Sequence, residues 1–126
     1  MAGSIQSFED LECYIHARNF RKEIAEIAST FPSFEKFSLV SQMVRSSRSV
    51  TANIAEGFGR HHHQENLQFC RQARGSLTET LEHLNVAFDE KYLSAELYEK
   101  MRQRYESCIK LLNGYIGYLQ RAAKSS

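Results

Sequence analysis

The side chains best suited to chemistry lie in the middle of the chain. They are three consecutive histidines (His61, His62 and His63), five arginines between Arg45 and Arg74, and a polar row along one helical face. Three histidines suggest a metal, but adjacent residues on a loop or helix start point in different directions and cannot readily close on one ion. Bundle metal sites set Glu beside Glu-x-x-His on facing helices, whereas Glu79-Thr80-Leu81-Glu82-His83 offers Glu and His only as neighbours or four apart. The histidines therefore read as surface or loop residues, with no metal and no cofactor. Cys13, Cys70 and Cys108 form no CxxC pair, and nothing in their spacing sets a base or a helix N-terminus beside a thiol. Gly57-x-Gly59 ends a helix instead of following a strand, so it is not a phosphate loop. Glu56 stands without a second carboxylate in its row. No catalytic residue is assigned, and enzyme activity is not expected.

Gln42, Arg45, Ser49, Asn53, Glu56 and Arg60 are spaced by three or four and line one helix face. Such a row is either a ligand, RNA or catalytic site, or a hydrogen-bonded network that fixes helix register or oligomer contacts. The second reading is favoured for Gln42, Ser49, Asn53 and Glu56, together with Glu79 from the next helix. The net charge of +1 gives no global field. From Arg45 to Thr78, however, five arginines (Arg45, Arg48, Arg60, Arg71 and Arg74) face only Glu56 and Glu65, a local +3. These arginines are the candidate nucleic-acid-binding set, since guanidinium pairs well with phosphate. The same charges could equally be solvated or paired. No base-reading motif accompanies them.

Helical elements must carry these groups. One Pro and six Gly in 126 residues leave little punctuation. Apolar residues recur at helical spacing from about Phe8 to Ser29, with Ser7 and Asp10 resembling a capping box and Phe31-Pro32 as the stop. A second helix spans about Phe34 to Gly57 on Leu39, Met43, Val50 and Ile54, and Gly57-Phe58-Gly59 ends it. A third runs from near His63 to about Phe88 on Leu67, Cys70, Leu77, Leu81 and Leu84. The fourth follows an N-cap at Ser94 and carries Leu97, Met101, Tyr105, Cys108, Leu112, Tyr115 and Leu119, with 122–126 frayed. Tyr115, Ile116 and Tyr118 beside Leu112 and Leu119 are more apolar surface than one core needs, which marks an interface. The fold class is all-α, an antiparallel up-down-up-down four-helix bundle in one domain over residues 1–126.

Small residues tune the expected contact of helices two and three. With the turn near Arg60, Ser46 and Ser47 face Ala73 and Gly75, Arg71 lies near Ser49, and Glu79 near Gln42. Gly75 is assigned to close helix packing, because a glycine inside a helix costs about 1 kcal/mol against alanine. The three cysteines read as reduced, half-buried thiols. The first twelve residues lack a secretory pattern and no apolar run is long enough to span a membrane, so a cytoplasmic location and no membrane partner are expected.

The stretch Gln42-Met43-Val44-Arg45-Ser46-Ser47-Arg48-Ser49-Val50-Thr51-Ala52-Asn53-Ile54-Ala55-Glu56-Gly57-Phe58-Gly59-Arg60 resembles the diagnostic segment of a four-helix-bundle family. That family is named after proteins encoded in intervening sequences of bacterial 23S rRNA genes. Ala73-Arg74-Gly75-Ser76-Leu77-Thr78-Glu79 resembles its second block, and Leu11 and Phe31-Pro32 fall where it has a Leu and an F-P stop. Ser46 and Ser47 stand where many members have alanine, and Thr51 where many have proline; the three histidines are not a family feature. The resemblance implies a left-handed bundle that assembles as a ring-like homo-oligomer, a pentamer. Similar bundles are accessory proteins of diversity-generating retroelements and bind nucleic acid and a reverse transcriptase. The expected partners are therefore the chain itself and RNA or a nucleic-acid enzyme, bound without sequence specificity. The alternative is a protein-binding scaffold or adaptor ring with no nucleic-acid role. A gene location is not a function.

Overall fold

The computed structural model describes residues 4–125. Residues 1–3 and 126, and with them the first residues of the expected leaderless N-terminus and the last of the expected frayed tail, lie outside the described residues. Four helices follow in order: α1 (Glu12–Ala28), α2 (Leu39–Gly59), α3 (His63–Asp89) and α4 (Ala95–Ser125). The described residues contain no strand.

The capping box at Ser7 and Asp10 forms, but it caps a short 3-10 turn, Phe8–Asp10. Leu11 is extended, so α1 starts at Glu12 and is shorter than its apolar pattern suggests. After Pro32 the chain makes a second 3-10 turn, Ser33–Glu35, before α2 begins at Leu39. The C-terminus of α2 departs from expectation. The helix continues through Gly57 and Gly59, and His61 takes the left-handed conformation (φ 53°) that closes it. Lys91 (φ 67°) does the same after α3: its N–H donates to Phe88 O, and Tyr92 N–H to Ala87 O, satisfying the last carbonyls of the helix. Ser94 Oγ accepts from Leu97 N–H at 3.1 Å and opens α4. The helix holds through Ser125, beyond the expected start of fraying.

Each helix packs on two neighbours, α1 on α2 and α4, α3 on α2 and α4, and the diagonal pairs stay apart. Pairs along the interfaces run in opposite order: Arg45 with Glu79 and Gly57 with Asn66, then Asn66 with Tyr115 and Asn85 with Tyr98. The bundle is antiparallel. Phe20, Ile24, Met43, Ile54, Leu77, Leu84, Met101, Leu112 and Leu119 fill its axis, each under 2% exposed. Ile116 and Leu112 are core residues, so of the apolar excess expected on α4 only Tyr118 is exposed. The two most exposed large apolar side chains instead lie before α2, at Phe34 and Phe37. No helix among the described residues is long and apolar enough to cross a membrane.

Candidate nucleic-acid interface

Small hydroxyl residues fill the contact between α2 and α3, where larger apolar groups would hold the backbones apart. Ser46 Oγ and Thr80 Oγ1 lie 2.7 Å apart, at 1% and 0% exposure, and Thr80 Oγ1 also donates to Ser76 O at 2.9 Å. Ser76 Oγ donates to Ser49 Oγ at 2.9 Å, and Asn53 Nδ2 donates to Ser49 O and Oγ at 2.9 and 3.0 Å. Arg45 closes the solvent side on Glu79 at 3.2 Å, and Glu79 also meets His83 at 3.0 Å. Among the described residues no buried side-chain polar atom lacks a partner, so the ladder avoids the 1–3 kcal/mol or so that an unsatisfied group costs.

The structure brings Ser49 and Asn53 into this ladder and places Glu79 beside it. Gln42 is exposed and its side chain bonds to nothing among the described residues. Glu56 is exposed and pairs with Arg60 at 3.0 Å, and Asn53 turns back on its own helix. Sequence reasoning missed several polar positions. Thr80 and Ser76 complete the ladder, and Thr51, buried in α2, accepts from Arg21 Nη1 of α1 at 3.0 Å. The only signal for Thr80 was its place on the Leu77–Leu84 face.

The helix register also differs from expectation. Glu79 meets Arg45, not Gln42, and Ser76 meets Ser49 where Arg71 was expected. Because α2 runs through Gly59, the turn sits later than Arg60 and every pairing shifts. Gly75 moves with it: it is exposed, and a Cβ there would have nothing within 4 Å. Its assignment to close helix packing is wrong. The close approach belongs to Gly57, whose Cβ would fall 2.6 Å from Asn66 Oδ1 and 2.9 Å from Phe69 Cβ.

The five arginines separate into two groups. Arg45 is paired with Glu79, and Arg60 with Glu56 and, at 3.8 Å, Glu65; Arg60 also lies 4.9 Å over the Phe69 ring. These two charges are largely neutralised locally. Arg74 donates to Asn113 Oδ1 at 2.9 Å, a neutral acceptor that orients the guanidinium and leaves its charge. Arg48 is exposed, and its side chain has no carboxylate partner among the described residues. Arg71 opens with Lys124 onto a surface hollow of about 370 Å³ between α3 and α4, lined otherwise by Gln64, Leu67, Gln120 and Ala123. Among the described residues no carboxylate side chain lines it. A larger hollow of about 510 Å³ between α1 and α4 holds Glu23 and Glu26, but Glu23 is bonded to Arg104 at 3.0 Å and paired with Lys100 at 3.7 Å.

The histidines disperse to three different neighbours. His61 meets Phe58 edge-on; His62 Nδ1 accepts weakly from Glu65 N–H at 3.4 Å, capping α3; His63 meets Tyr118 edge-on. Cys13, Cys70 and Cys108 are unpaired and fully buried, more so than their positions suggested. Burial pushes each thiol up to about 12, so they carry no nucleophilic thiolate at neutral pH.

Residues 9–114 match the family of 23S rRNA-intervening sequence proteins. The chain belongs to this family. A similar solved structure is that of a protein of unknown function from the S23 ribosomal protein family of Bacteroides thetaiotaomicron. It is 23% identical, with 83% of this chain and 95% of that one covered at a TM-score of 0.77. At that identity the likeness speaks for the fold alone. No curated protein matches the sequence. The matched segment of this family member holds the α2–α3 ladder, Gly57 and all five arginines, while Tyr118, Gln120 and Lys124 lie beyond it.

Proposed function

We propose that this family member is a non-enzymatic, cytoplasmic homo-oligomer that binds RNA through its phosphates, without sequence specificity. The observation that carries the reading is the hollow between α3 and α4. Arg71 and Lys124 converge there with no carboxylate side chain among the described residues of the lining, and Arg74 lies one turn along, bonded to a neutral amide oxygen. Two or three unneutralised cations on a shallow surface suit a polyanion. A small-molecule pocket is usually more enclosed and more apolar. Assembly into a ring, a pentamer, would repeat the patch around one particle and raise avidity for a long strand. Three reduced thiols fit a reducing compartment.

Fluorescence anisotropy with a labelled RNA, titrated at several salt concentrations, tests this. Affinity should fall steeply with salt and vary little with sequence, and Arg71→Ala and Arg74→Ala should each lower the salt slope by roughly one. Arg45→Ala and Arg60→Ala should change it less, because their charge is already paired. Salt-insensitive binding, or none, would overturn the proposal.

A second reading, a scaffold that captures a protein, is favoured by one specific feature. Phe34 and Phe37 are 76% and 89% exposed on the segment before α2, and exposed aromatic pairs mark interaction surfaces. Light scattering should give several times 14.5 kDa, five times for a pentamer. A Phe34→Ser/Phe37→Ser variant that keeps both mass and RNA binding would leave these residues for another protein.

A further inference from the structure

The hollow at Arg71 is one part of a longer surface. Gln64 and Ala123 line it and also line a second hollow formed with His61, His62 and His63. The same three histidines line a third, which is walled by Phe58, Tyr115 and Tyr118. The three hollows adjoin, and together they wrap the start of α3 from the cations to the aromatic residues. Tyr118 is the feature that needs a use. The residue is 52% exposed. It is held in place by Tyr115, stacked at 6.1 Å and 14°, and by His63 edge-on at 6.4 Å. Tyr115 is itself fixed by a 3.0 Å bond from Asn66 Nδ2 to its hydroxyl. An aromatic ring that is both exposed and rigid presents a face for stacking at small entropic cost. Glu65, in the first turn of α3, is engaged by His62 at 3.6 Å and Arg60 at 3.8 Å.

Cations on one side and a fixed aromatic face on the other match what a single strand offers, phosphates along one edge and unstacked bases along the other. A duplex hides its base faces and could use only the cations. We infer that the α2–α3 turn end of the bundle is a single-strand-binding site, with Tyr118 as the base-stacking platform and Arg71 and Lys124 as phosphate contacts. The inference rests on the RNA-binding reading above and specifies its ligand and its location.

The test uses the full chain, a labelled 15-nucleotide oligouridylate and a 15-base-pair RNA duplex. The single strand should bind at least tenfold more tightly. Tyr118→Ala should weaken single-strand binding roughly 5- to 150-fold, the range for loss of one stacked base, with the salt slope unchanged. Tyr118→Phe should restore it, and Lys124→Gln should lower the slope while retaining the preference for single strands. Equal binding of strand and duplex, with Tyr118→Ala silent and the salt dependence through Arg71 and Arg74 intact, would overturn this inference and spare the broader one. Absence of binding to either RNA would overturn both.

Discussion

Two glycines in neighbouring helices should respond to the same substitution with opposite sign. At Gly57 an added methyl carbon would sit 2.6 Å from Asn66 Oδ1, 2.9 Å from Phe69 Cβ and 3.1 Å from Asn66 O. The first contact could be relieved by moving the Asn66 side chain, but only by disturbing its bonds with Tyr115 and Cys70. The other two are anchored to the α3 backbone, so α2 and α3 must separate locally. Overpacking of this kind costs about 1–3 kcal/mol, and the gain in helix propensity, about 1 kcal/mol, offsets only part of it. Gly57→Ala should therefore destabilise, by up to about 2 kcal/mol. At Gly75 nothing lies within 4 Å of the added carbon, so only the propensity gain remains and Gly75→Ala should stabilise by about 0.5–1 kcal/mol. For a chain of this size 1 kcal/mol moves Tm by roughly 3–5 °C. Urea unfolding followed by circular dichroism, with Tm as a second reading, measures both variants against wild type. Gly57→Ala melting at or above wild type, or Gly75→Ala melting clearly below it, would refute the assigned helix contact.

The polar ladder and the thiols yield further expectations. Thr80→Val removes the hydroxyl shared by Ser46 Oγ and Ser76 O and should cost about 1–3 kcal/mol in urea unfolding, whereas Glu56→Gln, an exposed pair with Arg60, should cost at most about 0.5 kcal/mol. Cys13, Cys70 and Cys108 are raised from 9.0 to about 12 in the folded chain. Their raised values favour the folded state below pH 9, and this contribution is lost as pH rises from there towards 12. With three thiols the slope should approach about 4 kcal/mol per pH unit at its steepest. Native protein should react with a thiol reagent far more slowly than urea-unfolded protein, which should expose all three groups.

Periodicity made the four helices and most of the core legible, because buried Leu, Ile and Met recur every three or four residues wherever a helix has one apolar face. The glycine assignments show where that reasoning stops. Gly57 and Gly75 look alike in sequence, and their roles depend on a register set by the turn. His61 delays that turn by taking a left-handed conformation more often given to glycine. The ladder was half legible: Ser49 and Asn53 announced themselves by spacing, but Thr80 sits among leucines and its role exists only when α2 lies against it. For the arginines, sequence supplied a local excess of charge. Spacing allows the Glu56–Arg60 pair, four residues apart along one helix turn, but it could not show that Arg45 meets Glu79 on α3 while no described carboxylate lines the hollow at Arg71.

Ultraviolet crosslinking of the full chain to a uridine-rich single strand, followed by mass spectrometry of the attached peptides, tests the proposed RNA interface most directly. Crosslinks should concentrate at the start of α3 and the end of α4, on peptides holding His61–His63, Arg71, Tyr118 and Lys124, and should fade as salt rises. Crosslinks confined to α1 or to the Phe34 and Phe37 segment, or none at a protein concentration that gives full assembly, would contradict an RNA-binding role for this surface.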